Sequence, residues 1–252
     1  MDWINILLVL GAGILCGFIN TLAGSGSAIS LPLLIFLGLP ANVANGTNRI
    51  AIFFQTLAGV TSFKKQKILD TKTNIKPVIA AVAGSILGAN IALKLNDNTM
   101  EKIIGVVMLI MLVYIIYNPK KFLKPEQKQF KTQNIFLQII IFFLIGIYGG
   151  LVQAGTGVFL LTALVLNAGV DLVKANGLKM LIILIYTPFV LFFFIVNKQI
   201  NYEWGLILAA GSIVGAVIAS KVAVKWGPKF IRYLLIAVLG FSALKLFGII
   251  NF

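Results

Sequence analysis

Apolar residues run along this chain in ten stretches, roughly 4–22, 27–38, 46–63, 77–93, 100–117, 134–153, 157–168, 176–196, 205–220 and 231–249. A straight crossing of a bilayer takes ~20 helical residues, and ~10 to 14 is too short. The stretches 27–38 and 157–168 are therefore half-length. Each follows directly on a break rich in glycine and hydroxyl residues, NTLAGSGSAISLP at 20–32 and QAGTGVFLL at 153–161. Non-helical backbone at membrane depth persists only where it is buried in protein or lines a wet cavity, so both breaks are expected to face inward.

The two breaks belong to a repeat. One constant shift carries residues 23–94 onto 154–225 without a gap. Ala23-Gly24-x-Gly26 falls on Ala154-Gly155-x-Gly157, Gly38 on Gly169, and Ala44-Asn45-Gly46 on Ala175-Asn176-Gly177. Thr56 meets Thr187, and Gly84 meets Gly215. The pattern predicts an all-α integral membrane protein of two five-segment repeats, each opening with a broken helix pair. The first repeat would span 1–117, a basic linker 118–133, and the second repeat 134–252. An odd number of net crossings per half makes the repeats inverted, an arrangement that places the substrate site of transporters near the bilayer midplane.

A helix that starts at Gly26 or Gly157 leaves its first N–H groups without intrahelical partners. Those groups and the helix dipole favour an anion. Two such starts related by inversion would converge on one anion site, with Ser25, Ser27 and Thr156 as hydroxyl donors and Gln153 and Gly155 beside them. The competing explanation is packing, since small residues let membrane helices approach closely. Packing accounts better for Gly84, Gly88, Gly211 and Gly215.

The third segment of each half carries a polar stripe. Asn45, Asn48, Arg49, Gln55 and Thr56 share one helical face, and Asn176, Lys179, Tyr186 and Thr187 repeat the spacing; Thr47 stands between Asn45 and Asn48 in sequence and is a further candidate contact. A charged side chain at mid-bilayer costs at least ~2.5 kcal/mol. The acids Asp2, Asp70, Asp97, Glu101, Glu126, Asp171 and Glu203 all fall in loops or at segment ends. A bound anion would give Arg49 and Lys179 the partner that the apolar spans lack. Snorkelling to the headgroups is the alternative for both.

Composition narrows the class. Of the 252 residues 60% are apolar and 11% charged, where a soluble domain carries about a quarter charged. The net charge of +14 does not point to nucleic acid, because the lysines sit in short loops between apolar runs. Loops 64–76, 118–134 and 221–232 are strongly basic and are expected to be cytoplasmic. Loops 94–102 and 197–204 are balanced and expected outside, with both termini. The N-terminus lacks a basic n-region and reads as a retained segment. With no histidine, a lone cysteine at position 16 and no carboxylate within the spans, acid–base catalysis and metal binding lack their usual groups. No cofactor and no metal are expected, and a membrane-embedded enzyme is the least supported class.

The run AGSGSAISLPLLIFLGLPANVANGTNRIAIFFQTLAGVTSF resembles the first repeat of the TauE/SafE sulfite exporter family, also called the toluene sulfonate uptake permeases. The likeness rests on GSGS followed by Pro32, on GLP at 38–40, on Asn45 to Arg49 and on Gln55. It extends over nearly the whole chain as two repeats. It implies transport of small sulfur oxyanions or organosulfonates, such as sulfite, thiosulfate or sulfoacetate. Second repeats of the family often carry a lysine matching Lys179, commonly with an asparagine soon after. Here Ile182 and Ile183 follow instead, and Val158 stands where the first half has Ser27. The resulting expectation is a multi-pass inner-membrane carrier of a small anion working by alternating access, with an anion channel as the alternative. Its partners are the anion and the bilayer, and oligomeric state is not legible.

Overall fold

The structure is a computed structural model that describes residues 2–69, 75–117, 134–167, 170 and 172–222. The tenth apolar stretch, the linker 118–133, most of the basic loop 221–232 and the C-terminus lie outside the described residues. Among those described, the regular structure is helical: α1 Trp3–Leu22, α2 Ser27–Phe36, α3 Ala41–Lys65, α4 Ile75–Lys94, α5 Asp97–Tyr117, α6 Ile135–Leu151, α7 Thr156–Thr162, α8 Leu172–Val196 and α9 Tyr202–Val222. A π-helical turn, Ala163–Asn167, extends α7.

Four helices, α1, α4, α8 and α9, are long and apolar enough to cross a membrane. Large apolar side chains such as Ile4, Leu7, Phe189 and Phe192 point outward. The polar ones turn inward, where Asn45, Asn48, Arg49, Gln55, Thr56 and Lys179 are all 0% exposed. This inside-out partition suits a chain whose outer solvent is hydrocarbon. It also explains α3. Its 25 residues are ample for a crossing, but its apolar count is diluted by a stripe that lipid never meets.

Two close helix pairs frame the interior. α1 runs beside α9, and α4 beside α6. A methyl added at Gly17 would lie 2.1 Å from the Ser212 carbonyl oxygen, and one at Gly215 2.0 Å from that of Ile14. The second pair repeats these contacts, with Gly146 against Ala81 and Gly84 against Phe143. Gly84, Gly88, Gly211 and Gly215 are thus packing residues, as expected.

α3 and α8 cross the centre antiparallel. Gly46, near the start of α3, abuts Gln199 and Phe194 after and at the end of α8, while Gly177, near the start of α8, abuts Phe63 and Leu69. Both helices end alike. Lys67 and Lys198 each adopt φ 56°, and the residue after each returns its N–H to a carbonyl of the last turn, Ile68 to Phe63 and Gln199 to Phe194. Such closures satisfy carbonyls that a helix end leaves open.

The loops sort to two ends. Asn42 at the head of α3 donates through Nδ2 to Leu95 O, and its N–H donates to Asp97 Oδ1. Thr47 Oγ1 accepts from the Asn201 N–H. The charge-balanced loops therefore share one end. At the other, Ser62 bonds Ser220, and Gln66 donates to the Ser220 carbonyl, beside Lys64, Lys65 and Lys221.

Candidate functional site

The two breaks meet in the middle of this frame. Gly24 and Gly157 touch backbone to backbone. A Cβ on Gly24 would sit 2.3 Å from the Gly157 carbonyl carbon, and one on Gly157 2.4 Å from the Gly24 Cα. Gly24 also holds φ 81°, and Gly155 φ 74°, conformations that glycine adopts without steric cost. Gln153 takes φ 68° despite its side chain. Tyr148 closes this second break by donating its hydroxyl to the Ala154 carbonyl.

Ser25 and Thr156, one beside each of these glycines, are fully buried, and neither hydroxyl oxygen has a hydrogen-bond partner. Buried hydroxyls are normally paired. Gly26 heads α2 with no side-chain cap on the helix, and its Cα faces the Cys16 carbonyl too closely for any Cβ. On the second side α7 holds only seven α-helical residues before the π turn. Of the two expected half-helix starts, α2 is the better formed.

Asn48 ties α2 to α3. Its Oδ1 accepts from Ser30 Oγ at 2.7 Å, and its Nδ2 donates to Ser27 Oγ at 3.1 Å. Ser27 is thereby engaged. Gln55 is fully buried, and neither its amide nitrogen nor its amide oxygen is paired. Thr47 does not join the group; it turns to Asn201 at the end of the molecule.

The two interior cations have partners that sequence spacing does not reveal. Arg49 Nη1 donates to Gly149 O at 2.6 Å and to Gln153 Oε1 at 2.8 Å, and Nη2 donates to Gly150 O at 2.8 Å and Asn45 Oδ1 at 3.4 Å. Lys179 Nζ donates to Asn20 O at 3.0 Å, Thr21 O at 3.1 Å and Asn176 Oδ1 at 2.8 Å. Each cation holds the two carbonyls before the last residue of a broken pair's first helix. Arg49 takes α6, from the other half, and Lys179 takes α1, also from the other half. Cations suit helix C-termini, where the macrodipole is negative. Neither side chain snorkels, since both are 0% exposed. The partner that the sequence seemed to require from an anion is supplied in this state by backbone. Arg49 Nε alone stays unpaired.

Asn45 and Asn176 do matching work, each steadying its own cation; Asn45 Nδ2 also donates to Leu151 O. Tyr186, on the predicted stripe, reaches the same cluster. It donates to Gln153 Oε1 at 2.9 Å, and a methyl on Gly149 would lie near both its hydroxyl and Thr156 Oγ1. The shifted alignment could have singled it out, because Tyr186 stands where the first half has Gln55. Among the described residues no cluster of histidine, cysteine or acid could hold a metal.

The model of the family described as "Sulfite exporter TauE/SafE" matches residues 9–246. "Probable membrane transporter protein ORF9" of Sinorhizobium is 26% identical, over 90% of this chain and 86% of its own length. A "Probable membrane transporter protein" of Haemophilus influenzae is 25% identical over 91% and 89%. YunE of Bacillus subtilis, with the same description, is 24% identical over 93% of each. No solved structure matches the chain.

Proposed function

The chain belongs to the TauE/SafE family of membrane transporters, which are not enzymes, and from that premise we propose that it is a secondary carrier of a small sulfur oxyanion or organosulfonate, such as sulfite, thiosulfate or sulfoacetate. The protein is a multi-pass membrane protein; we place it in the inner membrane, with the basic loops cytoplasmic and the termini outside. The observation that carries the reading is the pair of buried, unpartnered hydroxyls, Ser25 and Thr156, on either side of the Gly24–Gly157 contact. Sulfonate and sulfite oxygens are acceptors, and these groups are donors.

In this reading the anion lies before the start of α2, between Ser25, Thr156 and Gln55. Gly24, Gly26, Gly155 and Gly157 keep the backbone close to it. Arg49 and Lys179 lend positive charge from nearby while their N–H groups hold α6 and α1, and Asn45, Asn48, Ser27, Gln153 and Asn176 hold those cations and helices in register. The antiparallel α3 and α8, the matched helix pairs and the matched clasps support two inverted repeats, 1–117 and 134–252. Alternating access would follow from rocking one half against the other around the site.

Purified protein in proteoliposomes gives the test. A carrier shows saturable uptake of sulfite, thiosulfate or sulfoacetate and exchanges internal for external substrate faster than net flow. Flux that rises without saturation, with no exchange, would instead indicate a channel. Ser25→Ala and Thr156→Val should each weaken uptake without loss of folded protein.

A further inference from the structure

The buried amide of Gln55 bears on which anions the site prefers, given the anion site proposed above. α2 and α3 form a hairpin through residues 37–40, so they run antiparallel. Asn48 lies beside the first turns of α2, bonded to Ser27 and Ser30. Gln55 follows seven residues later on the same face of α3, two turns and about 10 Å further along. It therefore lies beyond the start of α2, in the space its first N–H groups face. The other half offers a check. Tyr186, the repeat mate of Gln55, is close to Thr156, the mate of Ser25.

The two mates differ in what they leave open. Tyr186 spends its hydroxyl proton on Gln153. Gln55 spends nothing, and its Nε2 and Oε1 are both buried and unpaired. An oxyanion with no hydrogen of its own can accept from Nε2, Ser25 Oγ and Thr156 Oγ1. It cannot serve Oε1, an acceptor that would then stay buried and empty, which is costly. We propose that Gln55 is a specificity residue, and that the preferred substrate is an anion carrying its own hydrogen-bond donor, an O–H or N–H, presented to Gln55 Oε1 while its sulfur-bound oxygens face Ser25, Thr156 and α2.

Ethanesulfonate and 2-hydroxyethanesulfonate differ by that one donor. Binding of both is measured on purified, full-length protein by titration calorimetry or by protection against heat. The native protein should hold the hydroxylated compound about tenfold more tightly or better. In Gln55→Leu the preference should vanish, because the hydroxylated compound loses more affinity than ethanesulfonate does. Ser25→Ala should weaken both compounds alike. Equal affinities in the native protein, or a preference that survives Gln55→Leu, overturn the role of Gln55 and leave the anion site standing. If neither compound binds, the role of Gln55 falls, and if sulfite fails to bind as well, the anion site itself falls with it.

Discussion

Arg49 and Lys179 each offer a full charge to two carbonyls at the end of a helix from the other half. Truncating Lys179 leaves Thr21 O open, Asn20 O keeping the Gly24 N–H, and truncating Arg49 leaves Gly149 O and Gly150 O open, at ~1 to 3 kcal/mol apiece. Lys179→Met should therefore lower the thermal unfolding midpoint of the substrate-free protein, and Lys179→Arg should keep most of it. An unchanged midpoint for Lys179→Met would show that water or a shifted backbone takes over the clasp. From sequence alone the opposite sign follows, because a buried lysine with no acid in reach is a burden whose removal costs nothing. The polar stripe was legible at that level, and so was its inward direction. Its partners were not, because backbone carbonyls carry no residue signature and here lie a hundred positions or more away. Nor could spacing show that Ser27 is engaged while Ser25 is free, a difference that depends on where Asn48 reaches. On this basis Ser27→Ala should disturb the α2–α3 hairpin and stability, and Ser25→Ala should disturb binding. A protein melt and a substrate titration separate the two.

The elements were read most accurately where lipid sets the rule. The first half-helix is expected at 27–38 and found at Ser27–Phe36; the second is expected at 157–168 and found as seven α-helical residues and a π turn. The third segments begin earlier than their apolar runs, at Ala41 and Leu172. Their first turns are interrupted by Asn42 and Lys174, and an apolar count sees only what must face hydrocarbon. Helix pairing was not legible in that count, although the glycines that permit it were. Gly215→Ala should be strongly destabilising, since its methyl would meet the Ile14 carbonyl oxygen at 2.0 Å. Gly11→Ala, with nothing within 4 Å, should be neutral or slightly stabilising, because alanine favours helix over glycine by up to ~1 kcal/mol. Thermal unfolding of the two variants side by side measures the contrast. Gly157→Ala carries a different expectation. Its methyl would press on Gly24 at the junction of the breaks, so transport should fall further than stability.

For the whole molecule, the charge pattern forecast that loops 94–102 and 197–204 share one end and that the basic loops share the other. The described residues place Leu95, Asp97 and Asn201 around the head of α3, and Ser220 beside its tail. Single cysteines introduced at Asn96 and Lys198, after replacement of Cys16, should label from outside the cell, and cysteines at Lys65 and Lys221 only from within. Reagent reaching Lys221 from outside while Lys65 stays protected would contradict both the packing and the orientation. The tenth segment and the linker fall outside the described residues, so the completeness of the second repeat rests on sequence.

The reciprocal clasps also constrain how such a chain can be made. During synthesis α1 enters the membrane long before Lys179 exists, yet two of its terminal carbonyls accept from that lysine, 159 and 158 residues downstream. α6 depends in the same way on Arg49, which by then is already in place. The earlier half is thus born with an open joint, and the later half closes it. Fragments 1–117 and 134–252 made as separate chains should each be degraded alone and should accumulate when made together. Held by bonds of this kind, the protein behaves less like two domains in a row than like a heterodimer whose subunits happen to be joined by a peptide.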